Sequence, residues 1–570
     1  MFGLSLYVKG QVNAEQVVVT GRQSFADDDY VGAIQYFNLA IQSKPNQATP
    51  YLFRAIAKFN LEDFAGAEQD ASHAIELNPY LHDVYEVRGA IRQKMGKYDD
   101  AIADYINALD VLPQNKYLLY NLAVLHGEVG HHKRSNEMFE NLFEVYPRFD
   151  YAYRGYARML LNEGDSLKAV TYLDKAIELN RNNHDDFMLR SHLNYFVKGD
   201  TLKAFNDIDA AIKLRPRNSS AYMMRGQMFY LSGCYNRAIE NYSVAIGLDS
   251  LNVYALYNKA LCYYQKGDIN RAEKEMAKVV EMIEDKSINL QLPQNGQKTS
   301  LVILYPSTYL QPEYNCLDLR ITEKTHSFSM RPEPLFAISY YSMKLESQFS
   351  SLYVKEIEEV NASKLLRYDL LVTSREPGEN DSINIYDHLQ AIDYYNYHIN
   401  SPSPKPIDYF ARAVENYILH NYASSIVDLD KTLEIAPDFV LGYFMRAVAR
   451  AKMIKFDEIV NEERQSEFQN ELSKILCDLD YVISLRPRMA IAYYNKATVL
   501  MAQGQLDDAI VLYNKVISLE PFMGEAYYNR GYAQLKLGEN STAATDFSEA
   551  GELGVAEAYD MLRMMMQNKN

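Results

Sequence analysis

Few side chains in this sequence could hold a metal or perform acid–base chemistry, and they are scattered. Cys234, Cys262, Cys316 and Cys477 form no C-x-x-C pair, so neither a zinc site nor a redox motif is indicated. His131 and His132 are adjacent but fall in an inter-helix turn, where solvation is the expectation. The paired acids Asp99–Asp100 and Asp507–Asp508 fall in the first turns of expected helices, where negative charge suits the helix dipole. No G-x-S-x-G, H-E-x-x-H, Walker loop or G-x-G-x-x-G in a strand–turn–helix setting occurs. The reading is therefore of a non-enzyme with no catalytic residue, no cofactor and no metal ligand. What is left is the chemistry of contact, in 47 tyrosines and no tryptophan. Tyrosine joins a rigid apolar ring to a hydrogen-bonding tip, which suits helix packing and partner contact alike. Most of these rings are expected to pack.

A folded scaffold must carry them. Over 570 residues the chain is 48% apolar and 23% charged, the ordinary balance of a soluble folded protein. Its formal net charge of −17, with no long Lys/Arg run, argues against nucleic acid or an anionic membrane as main partner.

The scaffold is periodic. Pro45, Pro79, Pro113 and Pro147 recur every 34 residues, each ending an apolar phrase such as AIQSKP or AIELNP, and the phrase returns at Pro216, Pro437, Pro487 and Pro521. Proline lacks an N–H and clashes with the preceding turn, so it marks a helix end. Gly96, Gly130, Gly164, Gly199, Gly233, Gly267, Gly504 and Gly538 fall at position 15 of the same unit, where a left-handed residue would end a first helix. Small residues at positions 8 and 20 (Gly21, Ala55, Gly226, Gly531; Ala33, Ala67, Ala238, Ala543) face large ones at position 4 (Tyr51, Tyr85, Tyr222, Tyr527), as interlocking helices require. Each unit reads as helix, glycine turn, helix, proline turn. The unit near 185 is longer by one residue.

On these residues the chain resembles the tetratricopeptide-repeat (TPR) family, with Tyr or another apolar residue replacing the family's Trp at position 4. More loosely, it is similar to exported bacterial multi-TPR proteins of unassigned function. The resemblance implies an all-α fold, a right-handed superhelical solenoid in two arms separated by a small irregular α/β insertion. It also implies a concave face lined by first helices, with positions 2, 5, 9, 12 and 13 facing a partner. In this sequence those are Tyr117, Tyr120, Tyr151, Arg154, Arg158, Tyr230, Tyr254, Tyr257 and Tyr264 in one arm. In the other they are Phe410, Tyr417, Phe444, Tyr494, Tyr528 and Tyr532. Position 6 adds Asn121, Asn258, Asn495 and Asn529, whose amides could bond a ligand's backbone. One variety of the family clamps C-terminal carboxylates with Lys and Asn on its first helix. Val18 and Arg22 stand at those positions in the first unit, which disfavours that mode.

The expected plan is eight repeats over 14–286, an irregular insertion over 287–405, four repeats over 406–557 and a capping helix with tail over 558–570. A helical insertion is expected near 453–471. Within 287–405, apolar runs at 301–305, 317–321 and 335–341 read as short strands, and 344–360 and 384–397 as helices. Residues 1–13 are read as the remnant of a signal peptide or a frayed N-terminus: Phe2 to Val8 is apolar but too short to span a bilayer, and Gly10–Gln11 would suit a cleavage point. That reading places the protein in the periplasm or envelope; the alternative is the cytoplasm. The functional expectation is a scaffold binding other proteins or peptide segments in aromatic grooves. The alternative is an enzyme or small-ligand sensor whose active part is the insertion.

Overall fold

The computed structural model describes residues 14–250, 252–286, 331–340, 354–366, 368–374, 385–454 and 465–567. Residues 1–13, the expected strands at 301–305 and 317–321 and most of the expected helix at 344–360 lie outside the described residues.

Helical hairpins follow the sequence period. Eight run from the pair Ala14–Ala26 and Tyr30–Ser43 to the pair Val253–Gln265 and Ile269–Lys286. Four more run from Pro406–Ile418 and Tyr422–Ile435 to Gly524–Lys536 and Asn540–Glu552. Asp29, Asp63, Asp165 and Asp200 cap second helices, their carboxylates accepting the amide N–H three residues on, which satisfies an otherwise orphaned donor. All eight position-15 glycines have positive φ, from 70° at Gly199 to 86° at Gly130 and Gly164. Asp28, Glu62 and His420 take the same left-handed turn without being glycine, at φ 62°, 66° and 58°. The extra residue near 185 is absorbed by a π-helical turn, Asn194–Lys198, at the end of the first helix of the sixth hairpin. The charged insertion is helical in part, since Gln465–Leu485 is a lengthened second helix.

Two compact units result, and their division differs from the expected one. Residues 1–91 group with 319–570, and residues 92–318 form the other unit. The reason is a docking within the first unit. The last helix, Glu557–Gln567, was expected only to cap the final repeat, yet its Tyr559, Met561 and Leu562 bury together with Tyr30, Ile34 and Ala57 of the first repeats. Polar bonds reinforce the docking: Gln35 and Asn38 amides donate to the Glu552 carbonyl at 2.9 and 2.7 Å. Lys58, 1% exposed, pairs with Asp70 at 2.8 Å and also with Glu552.

An arginine ladder runs through both units. Arg54, Arg412 and Arg530 each bond an aspartate 16 residues ahead (Asp70, Asp428, Asp546) and an asparagine 16 residues behind (Asn38, Asn396, Asn514). Arg190, Arg225 and Arg446 also bond both forward and back, at other spacings or with other partners: Asp207 and Asp174, Asn241 and Asp209, and Asp478 and Asp430. One guanidinium thus closes its own hairpin and ties it to the previous helix. The position-4 aromatic lies beneath it, as with Arg54 on Tyr51 at 5.6 Å and Arg446 on Tyr443 at 5.3 Å. That Asn396 serves Arg412 makes the helix Ile385–Ile399 part of the carboxy-terminal stack, which therefore begins before 406.

Of the insertion, the structure describes a helix, Lys355–Ala362, and two short strands. Strands β1 (Ala337–Ser339) and β2 (Leu371–Thr373) pair antiparallel with Ile338 opposite Val372.

Candidate functional site

The carboxy-terminal first helices form a groove, and the groove is filled by the chain itself. Residues 331–336 run extended along it and continue into β1. Asn529 grips one residue of this strap at both main-chain groups: Glu333 N–H donates to its Oδ1 at 2.7 Å, and its Nδ2 donates to Glu333 O at 3.0 Å. One repeat earlier, Asn495 does the same to Phe336, at 2.8 Å each way. Tyr528 and Tyr494 donate their hydroxyls to the carbonyls of Arg331 (3.1 Å) and Glu333 (3.4 Å). The Phe336 ring meets Tyr494 edge-on at 4.8 Å, and Ile338 N–H points at Met445 Sδ at 3.2 Å. Burial raises the Tyr494 and Tyr528 hydroxyls above the ordinary tyrosine value, so both stay protonated as donors.

Every expected groove residue of this arm except Tyr532 is consequently buried: Phe410, Tyr417, Phe444, Tyr494, Asn495, Tyr528 and Asn529. The strap residues Leu335, Phe336, Ala337 and Ile338 share one apolar cluster with Phe410, Phe444 and Met445. The apolar run at 335–341 and the asparagines are both visible in the sequence; that one holds the other is visible only in the fold.

The expected residues of the amino-terminal arm fall in the unit 92–318, in two groups. Tyr117, Tyr120 and Tyr151 gather around Phe149, with ring separations of 5.2 to 6.5 Å, and Lys116 sits over Tyr117 and Phe149. Tyr120 and Asn121 are wholly buried, while Tyr117 and Tyr151 keep an open edge. Tyr230, Tyr254 and Tyr264 make the second group's accessible part, Tyr264 being 43% exposed; Tyr257 and Asn258 lie beneath the surface. Arg154 belongs to the framework rather than to a partner face. It is 1% exposed, bidentate to Asp186 at 2.7 and 3.0 Å, and bonded to Asp150 at 3.2 Å. Its charge is matched twice, so it offers a ligand nothing. Arg158 lines a cavity of about 340 Å³ with Glu128, His132, Asn162 and Glu163.

The histidines near this cavity are not simply solvated. His132 pairs with Glu163 at 2.6 Å, and His131 Nδ1 lies 3.3 Å from His126 Nδ1. Burial, then Arg134 and His131, push the His126 imidazole down to about 4, so it is neutral near pH 7. Among the described residues no helix is long and apolar enough to cross a membrane.

Comparison with known proteins gives a consistent picture. Family models described as "Tetratricopeptide repeat" match residues 88–128, 120–184 and 253–286, and one described as "TPR repeat" matches 497–538. A TPR repeat-containing protein of Methanocaldococcus jannaschii is 21% identical over 411 residues, 68% of this chain and 65% of that one. Human serine/threonine-protein phosphatase 5 is 32% identical over 103 residues, 18% of this chain. The chain thus spans just under two thirds of the archaeal relative's length and 21% of the phosphatase's. Among solved structures, a tetratricopeptide repeat protein from Parabacteroides merdae aligns over 44% of this chain and 98% of its own, at 17% identity and a TM-score of 0.34.

Proposed function

Since this chain is a tetratricopeptide-repeat protein, we propose that it is a non-catalytic scaffold that holds extended segments of partner proteins along its first helices. The observation that carries this reading is the grip of Asn495 and Asn529 on the backbone of residues 333 and 336. A carboxamide offers one acceptor and two donors, so it closes a pair of bonds with a single extended residue whatever its side chain. Asn121 and Asn258 stand at the same position of their repeats, beside tyrosines with open edges. Side chains of the partner would then be sorted by the rings of Tyr117, Tyr151, Tyr230, Tyr254 and Tyr264, which combine apolar faces with hydroxyl tips.

The test is a crosslinked pull-down from native cells, comparing wild type with Tyr254→Ala/Tyr264→Ala. Tyr264 is 43% exposed and Tyr254 partly so, and the double variant should keep its circular dichroism. A partner captured by wild type and lost from the variant supports the reading. A partner set identical in both moves the interface away from these repeats, and no specific partner in either counts against the scaffold.

A further inference from the structure

Resting on that reading, we propose that residues 331–338 are a displaceable ligand in cis. The partner admitted in their place is an extended segment of the same chemistry: a residue flanked by prolines, and three residues on an aromatic followed by small and branched apolar side chains. The fit is geometric. Glu333 and Phe336 are three residues apart, about 10 Å in an extended chain, close to the roughly 8–10 Å between packed helices. Asn529 and Asn495 are one repeat apart, so the strap meets one asparagine per repeat.

The strap's composition suits this path. Pro332 and Pro334 have no N–H to satisfy and hold the backbone extended, leaving Glu333 as the single donor between them. Phe336 and Ile338 supply the specific part, the ring against Tyr494 and the branched chain inside the apolar cluster. All six hydrogen bonds that Asn495, Asn529, Tyr494 and Tyr528 make to the strap go to main-chain groups that any extended segment possesses, so an outside segment can reproduce them. The amino-terminal end of the strap is open to invasion, since Arg331 and Pro332 are exposed, and β1 is held by a partner strand of only three residues. A tethered ligand acts at a local concentration on the order of millimolar, so it blocks weak binders and yields to a strong one.

The experiment uses the full chain and a fluorescein-labelled peptide of residues 331–340, followed by anisotropy. Two variants loosen the strap in different ways. Phe336→Ala removes the ring, and Glu333→Pro removes the N–H that Asn529 accepts while leaving the groove untouched. The peptide should bind either folded variant at least ten-fold more tightly than wild type, and adding Asn495→Ala/Asn529→Ala should abolish the gain. Equal binding to wild type and to a folded strap variant, or no binding to either, overturns the proposal. Should both variants fail to fold, hydrogen exchange on wild type decides. Amides of Glu333 and Phe336 that exchange faster than those of the helices Val440–Met453 and Ala490–Ala502 support a displaceable strap. Exchange only with global unfolding refutes it. A strap that never releases leaves the pull-down on Tyr254 and Tyr264 unaffected, so the two readings fail separately.

Discussion

At position 15 of the repeat the backbone needs a left-handed residue, and the chain meets that need in two ways. Eight repeats use glycine; Asp28, Glu62 and His420 accept the strain, which is of order 1–2 kcal/mol for a residue with a Cβ. A Cβ at Gly504 would meet nothing within 4 Å, so Gly504→Ala isolates this conformational cost. It should lower stability by about 1 kcal/mol with no change in fold, read as a drop in denaturation midpoint. Gly226 is different, because a Cβ there would lie 2.7 Å from the Tyr242 ring. Gly226→Ala should cost about 1–3 kcal/mol through overpacking, and Tyr242→Phe should not rescue it, since the clash is with ring carbons. Both glycine roles were legible in the sequence from spacing alone. The ladder has a sequence signature too. An aromatic at position 4, arginine three residues later and aspartate sixteen beyond that recur in Tyr51–Arg54–Asp70, Tyr409–Arg412–Asp428 and Tyr527–Arg530–Asp546. This accounts for part of the tyrosine excess, because rings such as Tyr51 and Tyr527 underlie guanidinium groups.

Helices explain what periodicity could not tell. The extra residue at Asn194–Lys198 looks like a broken repeat in the sequence, whereas a π-turn absorbs it and keeps Asn194 bonded to Asp207 at 3.1 Å. Deleting the exposed Val197 should therefore be tolerated, leaving the melting temperature within a few degrees, while deleting the buried Ala157 from the helix Asp150–Asn162 should unfold its repeat. A deletion turns everything beyond it by about 100° on a regular helix, and only a π-turn holds a spare residue. The strap shows the opposite limit. Its asparagine partners lie 196 and 159 residues away, and no local pattern encodes a pairing at that range. Sequence alone could place the groove and place the strand, but the burial of seven groove residues follows from their meeting.

Buried charges join the first repeats to the last in the unit 1–91 with 319–570, where Lys58 and Arg54 meet Asp70 and Glu552. Burial alone would raise the Asp70 carboxyl; the Lys58 ammonium and Arg54 guanidinium outweigh it and hold it below the usual carboxylate range. A group lowered in the folded state stabilises above its ordinary value, about 3.9, and that contribution is lost as pH falls through the lowered one. Asp70→Asn should cost about 3–5 kcal/mol at pH 7 by leaving Lys58 undercompensated, and the gap to wild type should shrink below pH 4. A pH-independent gap would contradict this account. Asp63 and Glu549 are raised by burial and oppose the trend in the wild type, so the comparison must be between proteins rather than along one curve. Removing residues 553–570 should uncover Tyr30, Ile34 and Ala57, and hydrogen exchange should quicken across 30–77 but not within 116–248.

That docking also sets a timetable for biosynthesis. Lys58 and Tyr30 emerge from the ribosome roughly 500 residues before the residues that cover them, Glu552 and Tyr559 to Leu562. At about 5–20 residues per second the wait is on the order of 25–100 s. Through that interval the first two hairpins carry an uncovered apolar face and a lysine lacking one of its two carboxylate partners. Their final folding step therefore waits until residues 552–562 have been made.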